Sequence, residues 1–414
     1  MSALMSTLMS NVRNVDVLIV GASLAAAAAA KRTVDAGLET VILERKALPR
    51  HKICSGILSP RGHRFLLENF GPLPREVLHE PTACRGVTFH FPCLVPMPMD
   101  FFHGTTPHLH RKYSDHWAVQ QSGAEVHDQT AFAGLEEHDD HVIVKARRDG
   151  EDVLYRARQV IGADGPSSLV TRAIYPDYPQ SIPWFFVGQK FHQIIDCPLD
   201  PDYFHFWFHP GLGHYTWSHA RDGRQIVGVG FKRGDNFAHK HAVVQQYLRD
   251  KHEVYLHPAD EDHEGCAENF GPSLINRYVF GRGNVLITGQ AAGFLNMIGE
   301  GMSCALHSGA ISGEAIIEAR LRNRPVQEMY RHMIASEVRR CTDQWNPLKI
   351  AFDRPHEADF PAALAALSWR ERRLVLRDIW RFLLLYKEFK WGRQIALAAL
   401  QRPVFGGYPA LRWR

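Results

Sequence analysis

Three stretches of the chain place small residues directly after short apolar runs. In the first stretch, the run Val15–Val20 is followed by Gly21, Ser23 and Ala26, and a second apolar run ends at Glu44. A glycine turn at a helix N-terminus offers backbone N–H groups and a positive dipole end to a pyrophosphate. An acidic residue roughly 20 positions further on can accept hydrogen bonds from a ribose. This spacing predicts a dinucleotide site.

The first stretch departs from the glycine consensus at two positions. Ala26 is an accepted variant, because its position only needs close packing of helix on strand. Ser23 places a Cβ atom where the backbone should approach the phosphates, although its hydroxyl can donate a hydrogen bond to one of them. The same residues also fit an Ala-rich helix in another kind of α/β protein, and that alternative stays open.

The second stretch is a buried strand, Gln159–Gly162, that ends in Ala163, Asp164 and Gly165, with Ser167 at the start of a helix. A carboxylate at the end of a parallel strand is well placed to bind a ligand. The alternative is an ordinary strand–turn–helix connection in which Asp164 caps the helix.

The third stretch is an apolar strand, 284–288, that runs into a glycine-rich turn and then a long helix. Small residues let the backbone approach a flat ring, and the helix N-terminus favours negative charge there. That arrangement would stabilise an anionic reduced flavin. The candidate binding residues of this stretch are Gly289, Gln290, Gly293, Gly299, Glu300, Gly301 and Met302.

The segment 182–231 is dense in aromatic residues and histidine. Alternation along the strand 203–209 puts His205, Trp207 and His209 on one face and the phenylalanines on the other. The Phe face should be core, while the His/Trp face either lines an aromatic cavity or packs under a helix. Histidine exchanges protons near neutral pH, so side chains in this segment are candidates for catalysis. The catalytic candidates are His205, His209, Trp217 and His219.

The elements that carry these residues predict an α/β domain joined to an antiparallel sheet. The first stretch reads as a βαβ unit, residues 111–126 as a helix and a short strand, and the runs flanking Asp149 and Gly150 as a hairpin. We predict a discontinuous Rossmann-like domain, a substrate domain with a mixed sheet, and a C-terminal helical layer. The predicted bounds are 15–80, 105–175 and 275–325 for the Rossmann-like domain, 81–104 and 176–274 for the substrate domain, and 326–414 for the helical region.

Composition places the chain among ordinary globular proteins. It has 414 residues, 45% of them hydrophobic and 22% charged, and its net charge of +4 is too small to imply nucleic acid. The seven cysteines show neither paired nor metal-like spacing, which favours a reducing compartment and predicts no metal site. No apolar run approaches the roughly 20 residues of a membrane span, and the first 14 residues lack the apolar core of a signal peptide. We expect a cytoplasmic protein.

The C-terminal end is strongly basic. Residues 369–414 contain 11 Lys and Arg residues against 3 Asp and Glu, a net charge of +8, with four tryptophans between them. One interpretation is a capping helical layer with a solvated basic face. The other is docking to an acidic partner protein or to a membrane surface.

Taken in order, the three glycine-containing stretches resemble the FAD-binding enzymes that include geranylgeranyl reductases, aromatic hydroxylases and flavin halogenases. The likeness covers roughly residues 15–319, and three shorter motifs place it nearest to the geranylgeranyl-reductase-like flavoproteins. Lys52–Gly56 resembles their Cys-Gly-Gly loop beside the flavin, Arg111 with Asp115 resembles their Arg-x-x-Phe-Asp motif, and Tyr215–Trp217 begins their Tyr-x-Trp-x-Phe-Pro motif.

The resemblance implies a glutathione-reductase type of FAD domain with roles for particular residues. Glu44, with Arg45 beside it, would bind the adenosine ribose, Arg111 would lie near the ribityl and adenine portion, and Asp164 would hold the FAD chain. The flavin pyrimidine ring would face Gly299–Met302. The loop residues beside the flavin would be Cys54, Ser55 and Gly56.

Two positions depart from the family pattern. Gln290 stands where the family has Asp, and a neutral amide binds a ribityl hydroxyl less strongly than a charged acceptor, which predicts weakened FAD retention. His219 and Ala220 stand where the family has Phe-Pro, in the substrate sheet.

The chemistry of the resembling families leaves more than one activity open. There is no second glycine-rich βαβ unit, so NAD(P)H would bind transiently as the reductant. Hydroxylation of an electron-rich aromatic ring with O2 competes with reduction of isoprenoid double bonds, and the polar residues Ser218 and His219 favour hydroxylation. Among hydroxylases, the chain is similar to the flavin monooxygenases that modify a partner polypeptide's tryptophan during tryptophylquinone biogenesis, as in quinohemoprotein amine dehydrogenase. A non-catalytic flavin-fold binding protein is the remaining alternative.

Overall fold

The computed structural model describes residues 12–90, 96–101, 104–207, 212, 216–258, 263–267, 271–296, 298–352, 368–371, 373–374 and 377. In this part of the chain the strands are β1 Arg13–Val20, β2 Thr40–Leu43, β3 Leu78–Cys84, β4 Gly86–His90, β5 Met97–Asp100, β6 Thr106–Leu109, β7 Glu125–His127, β8 Thr130–Glu137, β9 Val142–Arg148, β10 Glu151–Gly162, β11 Phe185–His192, β12 Ile194–Asp196, β13 Tyr203–Trp207, β14 Thr216–Arg221, β15 Arg224–Lys232, β16 Tyr255–Leu256, β17 His263–Ala267, β18 Gly281–Arg282 and β19 Val285–Ile287.

The helices alternate with these strands. They are α1 Leu24–Asp35, α2 Pro60–Phe70, α3 Arg111–Gln121, α4 Leu169–Ile174, α5 Phe237–His252, α6 Gly271–Leu274, α7 Met302–Arg322 and α8 Val326–Phe352. Short 3₁₀ turns lie at Arg75–Val77, Tyr178–Gln180 and Gly289–Ala291.

The chain divides into two compact units. The first comprises Met1–Leu78, Leu109–Trp184 and Ala267–Thr342, and the second comprises His79–His108, Phe185–Cys266 and Asp343–Arg414. Residues 326–342 lie in the first unit, whereas we predicted them in a separate helical region.

The first unit is built on an eight-stranded sheet in the order β18-β19-β10-β1-β2-β7, with β9 and then β8 added beside β10. Strands β19, β10, β1, β2 and β7 are parallel, and β18 runs antiparallel to β19. Every residue of β2 and of the second half of β1 is buried, and all of them except Thr40 are apolar, as expected of strands covered on both faces. The predicted Rossmann-like fold is confirmed.

The Ala-rich composition of α1 follows from its contact with α7. A Cβ atom on Gly309 would lie 2.1 Å from the Ala25 carbonyl oxygen, and one on Gly313 would lie 2.7 Å from that of Ala29. The two helices therefore touch through their backbones, which requires small residues on both. We predicted that the small residues of α7 serve the approach of a flat ring, but these two glycines serve helix packing.

The second unit contains a seven-stranded mixed sheet in the order β17-β11-β15-β14-β13-β4-β5. Strands β13 and β4 are parallel, while β11, β15, β14 and β13 pair antiparallel in succession. Helix α5 covers one face, where Val244 and Leu248 belong to the same core cluster as Trp207, Val227 and Val229. Two smaller ribbons, β12 with β16 and β3 with β6, complete the pairing.

The predicted C-terminal layer is described only in part. Helix α8 reaches Phe352, and beyond it the structure describes a few residues between Ser368 and Arg377, where Trp369 is 70% exposed. The predicted docking surface otherwise lies outside the described residues. Among the residues that the structure describes, no helix combines the length and apolarity needed to span a bilayer.

Candidate cofactor site and substrate sheet

The parallel strands of the first unit end at one edge of the sheet and bring the three predicted stretches together. The N–H of Ala163 donates to the Val20 carbonyl at 2.8 Å, and that of Thr288 donates to the Gly162 carbonyl at 3.0 Å. The carboxyl edge of an open α/β sheet is where ligands bind. The turns that meet there are Gly21–Ser23, Gly162–Gly165 and Gly289–Gly293.

Gly21 packs closely against the backbone of the second stretch at this edge. Its φ is +98°, and a Cβ atom would lie 2.8 Å from both the Ala163 carbonyl oxygen and the Asp164 Cα. Only glycine combines this dihedral angle with this approach. The first two predicted stretches are therefore in backbone contact.

Ser23 is the N-cap of α1. Its Oγ accepts a hydrogen bond from the Ala26 N–H at 3.3 Å and donates to the Ala163 carbonyl at 3.0 Å. The hydroxyl proton is therefore used within the protein, and the predicted donation from Ser23 to a phosphate is not what the structure shows. Ala26 is fully buried, in keeping with the packing role expected of it.

The Glu44 carboxylate is buried and already has three donors. Oε2 accepts from the Ala22 N–H at 3.1 Å and from Arg50 Nε at 2.8 Å, and Oε1 accepts from the Lys46 N–H at 3.0 Å. A carboxylate offers about four acceptor sites. One site on Oε1 is left for a ribose hydroxyl. Arg45 is exposed, and its role at the ribose stays a prediction.

Arg111 and Asp115 form a buried bidentate ion pair with distances of 2.8 and 3.0 Å. Burial works against both charges, but the pairing outweighs it, so the pKa of Arg111 is raised and that of Asp115 is lowered. Arg111 also interacts with the Cys54 thiol. The Gly56 N–H lies 3.4 Å from Cys54 Sγ.

The predicted loop around Ser55 is therefore adjacent to Arg111, because its two neighbours Cys54 and Gly56 are held there. The carbonyl of Gly56 accepts the Leu109 N–H at 2.7 Å, two residues before Arg111. The predicted roles of Cys54, Ser55, Gly56 and Arg111 toward the cofactor remain predictions.

Asp164 caps a helix through one carboxylate oxygen, which leaves the other oxygen for the predicted role toward a ligand. Oδ2 accepts from the Leu169 N–H at 2.7 Å and the Val170 N–H at 3.3 Å, which caps α4. Oδ1 is buried and accepts no hydrogen bond from the residues that the structure describes. Burial raises the pKa of Asp164 despite these donors. A buried acceptor without a donor at this edge fits a hydroxyl group of the FAD chain.

The Gly289–Gly293 turn holds Gln290 beside a small cavity whose lining includes Ser167 and Arg172. The turn depends on glycine, with φ values of +61° at Gly289 and +96° at Gly293. The predicted weakness of FAD retention rests on the neutral amide of Gln290, and it stays a prediction.

Glu300 organises the loop before α7. Its carboxylate accepts the Ser303 N–H at 2.7 Å, the Ser303 hydroxyl, and Asn296 Nδ2 at 3.2 Å. The predicted position of Gly299–Met302 against the flavin ring stays a prediction, and within this segment the Glu300 side chain caps α7. Gly299 (φ +74°) and Gly301 have no side chain, so only their backbone could contact a flavin ring, while Met302 is buried.

In the second unit, the three catalytic candidates that the structure describes do not share one surface. His205 pairs with Ser218 across the sheet, whereas Trp217 pairs with Phe206. Residues directly opposite each other project from the same face, so His205 lies on the face that includes Trp207 and packs under α5. Of the two predicted alternatives for the His/Trp face of β13, packing under a helix is confirmed, while Trp217 and His219 lie on the opposite face.

The environment of His205 supports a structural role. Its Nδ1 lies 3.1 Å from His90 Nε2, and its Nε2 lies 3.0 Å from the Asp200 carbonyl oxygen. Burial lowers the pKa of His205, so the ring stays neutral. The fourth candidate, His209, lies outside the described residues, as does Tyr215 of the predicted motif.

The opposite face carries Trp217 and His219 together with the phenylalanines. The His219 ring stacks on Phe204 with centroids 4.7 Å apart. The Trp217 ring lies directly over Gly228, where a Cβ atom would come within 2.0 Å of it. This face is a continuous aromatic layer with one imidazole in it.

A row of imidazoles, which the sequence analysis missed, leads to His219. His79 Nδ1 lies 2.7 Å from Asp222 Oδ2, and the ring centroids of His79 and His108 are 5.0 Å apart. His108 and His219 are 5.4 Å apart, edge to face. Burial opposes the Asp222 charge, but donors from Glu80 and His79 lower its pKa overall. No local motif links these four positions.

The cysteines are also closer than their spacing indicated. Cys304 and Cys341 are both buried, with their sulfur atoms 3.8 Å apart, and Glu337 lies beside them. The mutual hydrogen bond and burial raise the pKa of Cys304 well above its usual range. The Glu337 carboxylate is held by Arg61 at 2.9 and 2.6 Å. Both cysteines are free thiols, and their separation of 37 residues gave no sign of this proximity.

Arg50 is the other residue that the sequence analysis did not single out. Besides Glu44, it binds the Ala22 carbonyl through Nη2 at 2.6 Å and lies 3.8 Å from Asp115 Oδ2. The available signal was weak, since Arg50 belongs only to a basic loop expected at the carboxyl edge of the sheet.

Comparison with known proteins agrees with this geometry. Residues 14–209 match the FAD binding domain family. "Protein CbrA" of Escherichia coli O157:H7 is 25% identical over 314 residues, which cover 73% of this chain and 84% of that protein.

Two solved structures share the fold. A geranylgeranyl bacteriochlorophyll reductase-like protein from Thermoplasma acidophilum has a TM-score of 0.69 at 20% identity, covering 89% of this chain and 99% of that one. The myxobacterial chondrochloren halogenase CndH, an FAD-dependent enzyme, has a TM-score of 0.70 at 16% identity, covering 95% of this chain and 92% of that one. The match over residues 14–209 and the shared fold, on a sheet edge whose residues fit the cofactor, show that the chain contains an FAD-binding domain.

Proposed function

We propose that the protein is a monooxygenase that uses NAD(P)H and O2 to hydroxylate an electron-rich aromatic substrate. The observation that carries this proposal is the aromatic layer of the second unit, formed by Trp217, Phe206 and Phe204 with His219 among them. A flat electron-rich ring packs favourably against such side chains. An imidazole among them supplies a polar partner that a purely aliphatic substrate would not need.

The residues of the chain divide the work of such a reaction. Bound FAD would supply the transfer of two electrons from NAD(P)H to O2, so that one oxygen atom enters the substrate and the other leaves as water. Glu44, Asp164 and the glycine turns of the first unit hold the cofactor. A ring carbon that gains oxygen loses a proton, and His219 is the side chain that would take it up. A cytoplasmic location, where NAD(P)H is supplied, belongs to the same proposal.

The substrate class that we favour is a tryptophan side chain of a partner polypeptide, in the maturation of a tryptophylquinone cofactor. The basic C-terminal segment supports a macromolecular substrate, because a net charge of +8 over residues 369–414 attracts an acidic polypeptide. Arg370 and Arg373 are exposed in its described part.

A second candidate function is reduction of isoprenoid double bonds. It is favoured by the likeness to the Thermoplasma acidophilum reductase-like protein and by the Cys54 loop, whose thiol lies beside the buried Arg111. Under this alternative the basic segment would contact a membrane surface instead of a protein.

One assay separates the candidates. The FAD-loaded protein is given NADPH or NADH, heavy-isotope dioxygen and chloride, with either a tryptophan-containing peptide or geranylgeranyl diphosphate. We expect the peptide to gain one labelled oxygen atom per turnover. A gain of two hydrogens by the isoprenoid would establish the reductase instead, and incorporation of chlorine would contradict both. NAD(P)H oxidation that modifies neither probe would also count against the proposal.

A further inference from the structure

Arg50 joins three parts of the cofactor edge that are remote in sequence. Its Nε donates to Glu44 Oε2 at 2.8 Å, its Nη2 donates to the Ala22 carbonyl at 2.6 Å, and Nη2 lies 3.8 Å from Asp115 Oδ2. The side chain is 11% exposed. A guanidinium is suited to this position because its planar fork can bind several acceptors at once.

Arg50 belongs to a cluster of two buried carboxylates and two guanidinium groups, whose charges sum to zero. Glu44 and Asp115 are buried carboxylates, while Arg50 and Arg111 are the cations that pair with them. Removing Arg50 would leave the Glu44 carboxylate with only the backbone donors of Ala22 and Lys46. The carboxylate could then turn about its side-chain torsions.

This arrangement bears directly on the adenosine half of FAD. The one acceptor site left on Glu44 Oε1 has a fixed direction while Arg50 and Ala22 hold Oε2, and it would accept a ribose hydroxyl. The bond to the Ala22 carbonyl also fixes the turn that follows Gly21, from which α1 presents its N-terminus. We propose that Arg50 is a positioning residue for FAD, acting through Glu44 and the Gly21 turn.

The test is ligand binding by apoprotein prepared from the full chain, measured by titration calorimetry with FAD, ADP and FMN as separate probes. Arg50→Met should raise the Kd of FAD and of ADP by about tenfold, the typical effect of losing a charge-assisted contact. The Kd of FMN, which lacks the adenosine half, should not change. Arg50→Lys keeps the charge but cannot reach both acceptors in the same way, so its Kd values should lie between those of the wild type and Arg50→Met.

Arg64→Met removes an exposed cation from α2 and is the control, with all three Kd values expected to stay at the wild-type level. A cycle with Glu44→Gln tests the route of the effect. Because Arg50 acts partly through Glu44, the double variant should lose less FAD affinity than the sum of the two single losses. Additive losses, or a lower Tm for Arg50→Met and Arg50→Lys with unchanged Kd values, would overturn the proposal. If Arg50→Met does not fold, the Arg50→Lys titrations decide the question alone.

Discussion

At the scale of single residues, the cofactor edge contains positions where a change of one or a few atoms should alter stability or FAD binding. Gly21 admits no side chain, Glu44 retains one acceptor site, and Asp164 Oδ1 has no donor within the described part of the chain. A single substitution at such a position has an expected effect on the free energy of unfolding or on the Kd of FAD.

Gly21→Ala should destabilise the protein and impair FAD binding. The added Cβ atom would meet the Ala163 carbonyl oxygen at 2.8 Å on a backbone with φ of +98°. We expect a loss of about 1–3 kcal/mol of unfolding free energy from the dihedral strain, with the clash in addition. The measurement is urea unfolding of the apoprotein.

Gly37→Ala isolates the dihedral contribution. Its φ is +75°, but a Cβ atom there would have nothing within 4 Å. Gly37→Ala should therefore cost less than Gly21→Ala and leave FAD binding unchanged. Equal effects of the two substitutions would show that the contact with Ala163 is unimportant.

Gln290→Asp should tighten FAD binding. A carboxylate accepts a hydroxyl hydrogen bond more strongly than an amide, so we expect the Kd of FAD to fall by about threefold to tenfold. Fluorescence titration of apoprotein measures it, and the exposed Gln121→Asp is the control. An unchanged affinity in the nanomolar range for both wild type and variant would refute the predicted weakness.

At the scale of elements, the fold positions the site through contacts between helices and strands that are far apart in the chain. Helix α7 both begins at the Gly299–Gly301 loop and packs on α1, which begins at the Gly21 turn. The two helix N-termini at the cofactor edge are therefore fixed relative to each other by backbone contact.

Gly309→Ala tests this packing. In an exposed helix the change would stabilise by up to about 1 kcal/mol. Here the Cβ atom would come within 2.1 Å of the Ala25 carbonyl oxygen, so we expect a loss of about 1–3 kcal/mol or more. Leu321→Ala, on an exposed position of the same helix, should be nearly neutral. Stabilisation by Gly309→Ala in thermal unfolding would contradict the observed helix contact.

The ion pair within α3 sets a pH dependence. Asp115→Asn would leave the buried Arg111 charge without its bidentate partner, and we expect a loss of about 3–5 kcal/mol at pH 7. The pKa of Asp115 is lowered in the folded protein, so its contribution is complete above the unfolded-state value of about 3.9. The contribution of Asp115 to stability is lost as the pH falls below the unfolded-state pKa and then through the folded-state pKa.

The difference in unfolding free energy between wild type and Asp115→Asn should therefore be constant from pH 7 down to about pH 5 and shrink at lower pH. Asp152→Asn, which removes a solvent-exposed pair with Lys145, serves as the control and should have a small effect. A difference that grew on acidification would reverse the assigned sign.

At the scale of the whole molecule, charge is unevenly distributed along the chain. Residues 369–414 carry a net charge of +8, whereas the rest of the chain carries −4, which gives the total of +4. The proposed docking of an acidic polypeptide substrate rests on this asymmetry.

Charge reversal of Arg370, Arg373 and Arg377 to Glu should weaken binding of an acidic tryptophan-containing polypeptide. Exposed ion pairs contribute about 0.2–1 kcal/mol each, so we expect a loss of about tenfold in affinity at low salt, declining as salt is raised. Turnover of a free small aromatic probe should not change. Equal loss for both substrates would contradict a docking role.

Local pattern was sufficient for part of this protein. The apolar runs, the glycine turns and Glu44 predicted the βαβ unit, and the Asp149–Gly150 turn predicted the hairpin, because dihedral preferences and alternation are encoded within a few residues. The same patterns placed three stretches at strand ends, and parallel strands end at a common edge.

Only the tertiary structure decided which side chains meet. The pairing register separated His205 from Trp217 and His219, and the crossing of α7 over α1 explained Gly309. Arg50 beside Glu44, Cys304 beside Cys341 and His79 beside Asp222 depend on contacts between segments whose local sequences carry no mark of each other. The sequence by itself determined where a nucleotide-binding edge would form, while packing of distant segments determined which residues act there.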